Sequence, residues 1–291
     1  MQIVGDTSAD VFAGQMDGLN VHYVPLTFML DGKVYKSSVD VDSEGFYRLI
    51  SATTSFPTTS QPSVGDFVEM YRHLAERDPE ILSVHISSAL SGTYNSAVAA
   101  AQIVSEAHVT TYDSKTVSAP LGWQLEAAAR AARAGWDKER ILALLARMTL
   151  ETSFVFTVPS LKYLIHGGRI SHLKGLLGTA LGVKPVIGVD NQTGLLTQAA
   201  QAHTMKAAME TIVALMTKKY DRGTAMRVQV LHGKNLDAAE ALRSLVDQSF
   251  ECTWMPTGAI APVLGAHTGP GVVGAFFGPM SLFRDVPGNP W

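Results

Sequence analysis

The stretch "ILSVHISSALSGTYNSAVAAA" (residues 81–101) decides how the first half of the chain folds. The apolar run from Ile81 to Ile86 has the length of a buried strand, and a small-residue helical pattern follows from Ser96. Between them stand Ser87, Ser88, Ser91 and Thr93. "QIVG" (2–5) and "HVTTY" (108–112) repeat the strand pattern, and they too run into hydroxyl-bearing loops, "DTSAD" (6–10) and "DSKT" (113–116). Helical patterns alternate with these strands. "SVGDFVEMYRHLAE" (63–76) has Ser63 and Asp66 in capping-box spacing, with Phe67, Met70, Tyr71 and Leu74 on one face. "LGWQLEAAARAARAG" (121–135) is closed by Gly135, and "DKERILALLARMTLE" (137–151) begins on an Asp N-cap. This alternation predicts βαβ units and a parallel sheet.

Ligands of open α/β sheets bind outside the carboxyl ends of the strands. The hydroxyls are therefore expected to gather on one edge. Helices that begin there aim free N–H groups at it, which favours an anion. Ser91 has two readings at this edge, a cap for the helix or a contact for a ligand.

Past residue 152 the rhythm changes. "SFVFTV" (153–158), "KPVIGV" (184–189), "GLLTQA" (194–199), "MRVQVLHG" (226–233) and "GVVGAFF" (271–277) read as strands. Two long helices, 204–220 and 237–249, separate some of them. The pattern predicts an N-terminal parallel-sheet α/β domain over 1–152 and a C-terminal α+β domain over 153–291, the latter with a mixed or antiparallel sheet.

Composition narrows the function. Of 291 residues 46% are hydrophobic, enough for a sizeable core, and the net charge of −3 is spread without long blocks. That argues against nucleic-acid binding dominated by phosphate contacts. A single cysteine, Cys252, excludes an internal disulfide and a cysteine-based zinc site. The N-terminus lacks the basic and apolar regions of a signal peptide, and no run approaches ~18 apolar residues, so a cytoplasmic location is expected. Asp6, Asp10 and Asp113 fall near one edge but read as helix caps or solvated carboxylates, because no metal-binding spacing accompanies them. Ser91 and His267 have neither a nucleophile elbow nor an identifiable acid partner, so no catalytic residue is assigned.

The chain resembles the DegV family of bacterial fatty-acid-binding proteins. The resemblance rests on eight motifs in order: "VGDTSADV" (4–11), "VPLTFMLDGKVY" (24–35), "FPTTSQPSVGDF" (56–67), "ISSALSGTYNSA" (86–97), "TYDSKTVS" (111–118), "LKYLIHGGRIS" (161–171), "LGVKPVIGVDNQTG" (181–194) and "GAHTGPGVVGAFF" (265–277). It implies one long-chain fatty acid enclosed between two domains. It further implies a carrier, not an enzyme, that presents the carboxylate to a separate fatty acid kinase subunit. The acyl group then passes to phospholipid synthesis, so transient membrane contact is among the expected partnerships and nucleic acid is not. Residue by residue, it implies carboxylate contacts from Thr59, Ser91 with Gly92, and His267. Ser60, Arg169 and Thr268 fall near the tunnel mouth. The candidate tunnel walls are Phe28, Phe154, Phe156, Ile165, Leu176, Leu177, Leu181 and Val186. No cofactor or metal is implied beyond the lipid.

Three departures stand out. Gly5 and Thr7 flank Asp6 where the family usually has a threonine and a serine, and His166 replaces a common basic residue. The stretch 196–208 lacks an arginine associated with the kinase; His203 is the nearest candidate. "GGR" with His172 and Lys174 makes a modest basic spot.

A fatty acid makes two demands. Its carboxylate must be met by donors on leaving water, and charge-assisted bonds of roughly 1.5–3 kcal/mol each supply that. Hydroxyls, a helix N-terminus and a histidine able to carry a proton are suitable. The drive lies in the tail, where about fourteen methylenes at roughly 0.8 kcal/mol give about 11 kcal/mol before association costs. Two other readings fit the strand-end crevice: an enzyme acting on a small phosphate or acyl compound, and a lipid-sensing regulator.

Overall fold

The computed structural model describes residues 1–173 and 182–288, without the side chains of Ser171 and His172. The first half runs β1 (Gln2–Asp6), β2 (Val21–Val24), β3 (Thr27–Leu30), β4 (Lys33–Lys36), α1 (Ser43–Ser51) and β5 (Thr58–Ser60). It continues with α2 (Val64–Ala75), β6 (Glu80–His85), α3 (Thr93–Ile103), β7 (His108–Asp113), α4 (Ala119–Arg133) and α5 (Lys138–Glu151). β2-β1-β6-β7 form a four-stranded sheet, parallel throughout. It holds the three strands expected to be parallel. The capping box at Ser63 and Asp66 is formed, with each partner bonding the other's backbone N–H.

The second half runs β8 (Ser153–Thr157), α6 (Lys162–His166), a 3-10 turn (Arg169–His172), β9 (Lys184–Val189), β10 (Leu196–Ala202) and α7 (Met205–Lys219). Then come β11 (Ala225–His232), α8 (Leu236–Asp247), β12 (Glu251–Trp254), β13 (Gly258–Ala259), α9 (Pro262–Thr268), β14 (Val273–Pro279) and α10 (Met280–Arg284). Its sheet, β10-β9-β8-β14-β11-β12 with β13 also on β11, is mixed. The pairings are antiparallel from β10 to β11 and parallel from β11 to β12 and β13.

A third sheet, β4-β3-β5, was not read from the sequence. Its strands have three or four residues each, too few to show a period. The central strand β3 buries Phe28, which stacks on Tyr35 and meets Phe46 edge-on.

Three apolar layers hold the sheets. α2 and α3 cover one face of the parallel sheet through Phe67, Tyr71 and Ala97. α7 and α8 cover the mixed sheet through Ile212, Met216 and Leu242. The largest cluster joins the two halves and centres on Trp123, Phe154, Phe276 and Phe283. Gly5 is explained here, since a Cβ on it would stand 2.5 Å from Leu125 of α4. Arg227 of β11 reaches Glu126 of α4 at 2.7 Å, with both side chains 2% exposed, so a buried ion pair crosses the same seam. No helix among the described residues is long and apolar enough to cross a membrane.

Candidate functional site

The loops after β2, β6 and β7 face β8, β14 and α9 across the seam, and between them lies a cavity. The space free of protein atoms there, open solvent at its mouth included, is about 910 Å3. Most of the wall is apolar. Phe154 and Phe156 alternate on β8, and across the pairing with β14 they oppose Phe276 and Gly274. Phe154 and Phe276 stack with centroids 5.5 Å apart. Leu231, Val263 and Leu196 extend the wall.

Polar groups collect at one part of it. β5 and the turn after it bring Thr59, Ser60 and Gln61; the loop before α3 brings Ser91. Arg169 comes from the 3-10 turn, and His267 and Thr268 from α9. Thr59 Oγ1 lies 2.8 Å from His267 Nε2, a bond that ties the small sheet to α9. Ser91 stands one residue before Gly92, the N-cap of α3. Its hydroxyl accepts from the Thr93 N–H at 3.3 Å, lies 2.8 Å from Thr93 Oγ1, and lines the cavity. Arg169 donates through Nη1 to the Gly167 carbonyl at 2.7 Å and through Nε to the Leu90 carbonyl at 3.4 Å. Burial draws Arg169 below its ordinary value, yet a guanidinium stays charged at neutral pH. Thr268 donates its hydroxyl to the Leu264 carbonyl, one turn back on α9.

His267 sits near the end of α9, a helix of seven residues. α9 forms because Gly265 lets it lie on Phe46 and Tyr47, where a Cβ would stand 2.6 Å from the Phe46 ring. The imidazole in turn lies on Gly167, where a Cβ would be 2.1 Å from Nδ1. Nδ1 is sealed from solvent and has no hydrogen-bond partner among the described residues. Burial, with the Arg169 charge adding to it, pushes His267 down to about 3, so the ring is neutral near pH 7. The sequence had suggested a proton-carrying histidine; desolvation removes that proton.

Other expectations shift as well. Gly92 does not line the cavity; the Gln61 side chain lies over it, 2.4 Å from where a Cβ would be. Gln61 itself lines the cavity and was missed, because only the fold brings the β5 turn to the start of α3. Among the proposed tunnel walls, Phe154 and Phe156 line the cavity. Phe28 packs instead on Tyr35 and Phe46, Val186 faces the α7 cluster, and Ile165 is 51% exposed. Leu176, Leu177, Leu181 and Lys174 lie outside the described residues, as does the side chain of His172.

The three strand-end carboxylates have separate partners. Asp6 accepts from Ser8 and the Ile86 N–H and meets His85, Asp10 accepts from Ser118 and the Ala261 N–H, and Asp113 accepts from Ser88 and Lys115. No group of His, Cys, Asp and Glu among the described residues is arranged to hold a metal ion. One Asp–His–Ser chain does exist. His85 Nδ1 is 3.0 Å from Asp6 Oδ2, and its Nε2 is 2.6 Å from Ser83 Oγ. All three side chains are fully buried and none lines the cavity, so this chain serves the core and offers no nucleophile to a substrate.

Fold and cavity together define an α/β protein with an internal apolar chamber that is polar at one end. The chain belongs to the DegV family: the family model described as "Uncharacterised protein, DegV family" matches residues 1–279. A DegV domain-containing protein of Staphylococcus aureus is 31% identical over 272 residues, covering 94% of this chain and 96% of its own. Among solved structures, the chain is similar to a DegV family protein from Thermus thermophilus described for its fatty acid binding. That match has a TM-score of 0.87 at 31% identity and covers 96% of this chain and 99% of that one. It is also similar to DegV of Bacillus subtilis, described as a fatty acid binding protein, with a TM-score of 0.85 at 28% identity, covering 96% and 98% of the two chains.

Proposed function

We propose that this chain binds one long-chain fatty acid, with its carboxylate among Thr59, Ser91 and His267 and its tail along the phenylalanine wall. The observation that carries this reading is the cavity itself: apolar over most of its wall, with hydroxyls, an imidazole and a guanidinium at one part. The solved relatives described as fatty-acid binders support it. A narrow amphiphile suits that division, since its tail gains about 0.8 kcal/mol per buried methylene while its head must be paired.

The hydrogen bond between Thr59 and His267 assigns the protons. A proton on Nδ1 would be a buried orphan donor against Gly167, which native proteins avoid more strictly than an orphan acceptor. The proton therefore belongs on Nε2, which donates to Thr59 Oγ1. The Thr59 hydroxyl hydrogen is then free for a carboxylate. Ser91 supplies a second hydroxyl, and Arg169 adds a positive field from nearby.

Native mass spectrometry of the purified protein, followed by addition of palmitate or oleate, tests the reading. A one-to-one fatty-acid complex is expected. Protein that neither carries nor takes up a fatty acid would refute it. Thr59→Ala and Ser91→Ala are each expected to weaken palmitate about tenfold, the worth of one charge-assisted bond.

By the same proposal the protein is a carrier that presents the carboxylate to a separate kinase. The exposure of Ser60 and Gln61, which line the cavity beside the polar cluster, supports this reading. Incubation of the loaded protein with a candidate fatty acid kinase and ATP should yield an acyl phosphate. Absence of product with a kinase that acts on another fatty-acid carrier would leave a lipid-binding protein without that partner.

A further inference from the structure

A second polar element touches the cavity away from the head-group cluster. Ser118 precedes α4 and lines the wall beside Val117 and Ile260. It is 3% exposed and sits at φ 64°, a conformation that costs a serine energy and persists only when its surroundings hold it. Its hydroxyl donates to Asp10 Oδ2. Asp10 Oδ1 accepts the N–H of Ala261, the residue that starts α9, at 2.7 Å. One carboxyl thus joins the first half of the chain, the cavity wall and the helix that carries His267. At about 1.5 Å per helical residue, Ala261 and His267 lie about 9 Å apart along α9.

We propose that Asp10 is a positioning residue for the fatty-acid site, and that its proton, shared with Ser118 on the cavity wall and opposed by Ala261 on α9, sets how firmly the tail is held. This rests on the fatty-acid reading above. The proton account is closed. With Asp10 ionised, both its oxygens accept, and the Ser118 hydrogen points away from the cavity. When Asp10 takes a proton, Oδ1 still accepts from Ala261, so the proton sits on Oδ2 and is donated to Ser118 Oγ. The Ser118 hydrogen then has to turn, and its free side is the cavity. An unpaired O–H among methylenes weakens tail binding.

The titration falls in a useful range. Burial pushes Asp10 up to about 7, against the hydrogen bonds from Ser118 and Ala261 that pull it down. Tyr47 of α1 also feels this charge, and burial holds that phenol in its neutral form.

The test uses protein loaded with palmitate and follows release into excess phosphatidylcholine vesicles between pH 6 and pH 8. The native chain is expected to release about tenfold faster at pH 6. Asp10→Asn copies the protonated acid, since its carbonyl accepts from Ala261 and its amide donates to Ser118. It should release fast across the whole range, without the slope. Ser118→Ala should also abolish the slope, because no hydroxyl remains to turn. In the ligand-free native protein an infrared band of a protonated carboxyl should grow as the pH falls through about 7, and Asp10→Asn should lack it. Native release that is flat with pH, or an unchanged slope in Asp10→Asn, would overturn the proposal while leaving fatty-acid binding intact. Failure of the native chain to retain palmitate at either pH would overturn both.

Discussion

Replacing Gly167 with alanine should cut fatty-acid affinity without harming the fold. The backbone there, at φ −73° and ψ −4°, suits any residue, so the change adds only a methyl group. That methyl would stand 2.1 Å from His267 Nδ1, where ordinary contact begins at about 3.4 Å. The imidazole must therefore retreat by more than 1 Å, and its 2.8 Å bond to Thr59 breaks. The broken bond to His267 costs about 0.5–1.5 kcal/mol of stability in free and loaded protein alike, and the carboxylate bond that Thr59 is then too disordered to make is worth about 1.5–3 kcal/mol to binding. The loss of affinity is that of the one carboxylate bond, about tenfold in Kd at its lower end, as for Thr59→Ala, and about a hundredfold at its upper end.

The neighbouring glycine provides the contrast. Gly168 has φ 74°, and a Cβ there would meet nothing within 4 Å among the described residues. Gly168→Ala should therefore cost about 1 kcal/mol of stability through backbone strain, with little effect on affinity. Calorimetric titration with palmitate and urea unfolding of both variants separate the two cases. The reasoning is wrong if Gly167→Ala binds like the native chain with unchanged His267 ring resonances, or if Gly168→Ala loses affinity equally.

Further outcomes are expected. Val263→Trp should fill part of the bore, so that native mass spectra show shorter acyl chains; an unchanged chain-length profile would mean the tail runs elsewhere. Glu126→Gln should lower the stability by about 3 kcal/mol, because the buried Arg227 charge loses its 2.7 Å partner; a fall in the urea midpoint equivalent to less than 1 kcal/mol would count against a tight pairing. Ser63→Ala removes the cap of α2 and should cost about 1 kcal/mol in thermal unfolding while leaving palmitate affinity alone.

Local rules made much of the scaffold legible. β1, β6 and β7 are short apolar runs between turn signals, and α2 announces itself by its capping box and apolar stripe. The mixed sheet of the second half was likewise visible as a change of rhythm. The sheet β4-β3-β5 was not, because each strand is too short to show a period and is held by contacts to distant residues, Phe28 on Phe46 and Thr59 to His267. α9 escaped for a related reason. Its seven residues include Gly265 and end at Gly269, which locally reads as a loop, and it is a helix because Phe46 and Tyr47 receive it.

The residue types of the polar cluster in the cavity wall were in the chain from the start: Thr59, Ser91, Arg169 and His267 could be named, and so could the hydroxyls of the strand ends. Their number and chemistry depend on sequence alone. Their convergence does not, since Thr59 and His267 lie 208 positions apart and meet only because an edge strand and a short helix pack together. The charge state of His267 and the raised value of Asp10 belong to the same category, since desolvation is a property of surroundings and not of a residue. Periodicity writes the elements into the sequence; which side chains share a cavity, and how strongly water is kept from them, is decided by packing between elements distant in the chain.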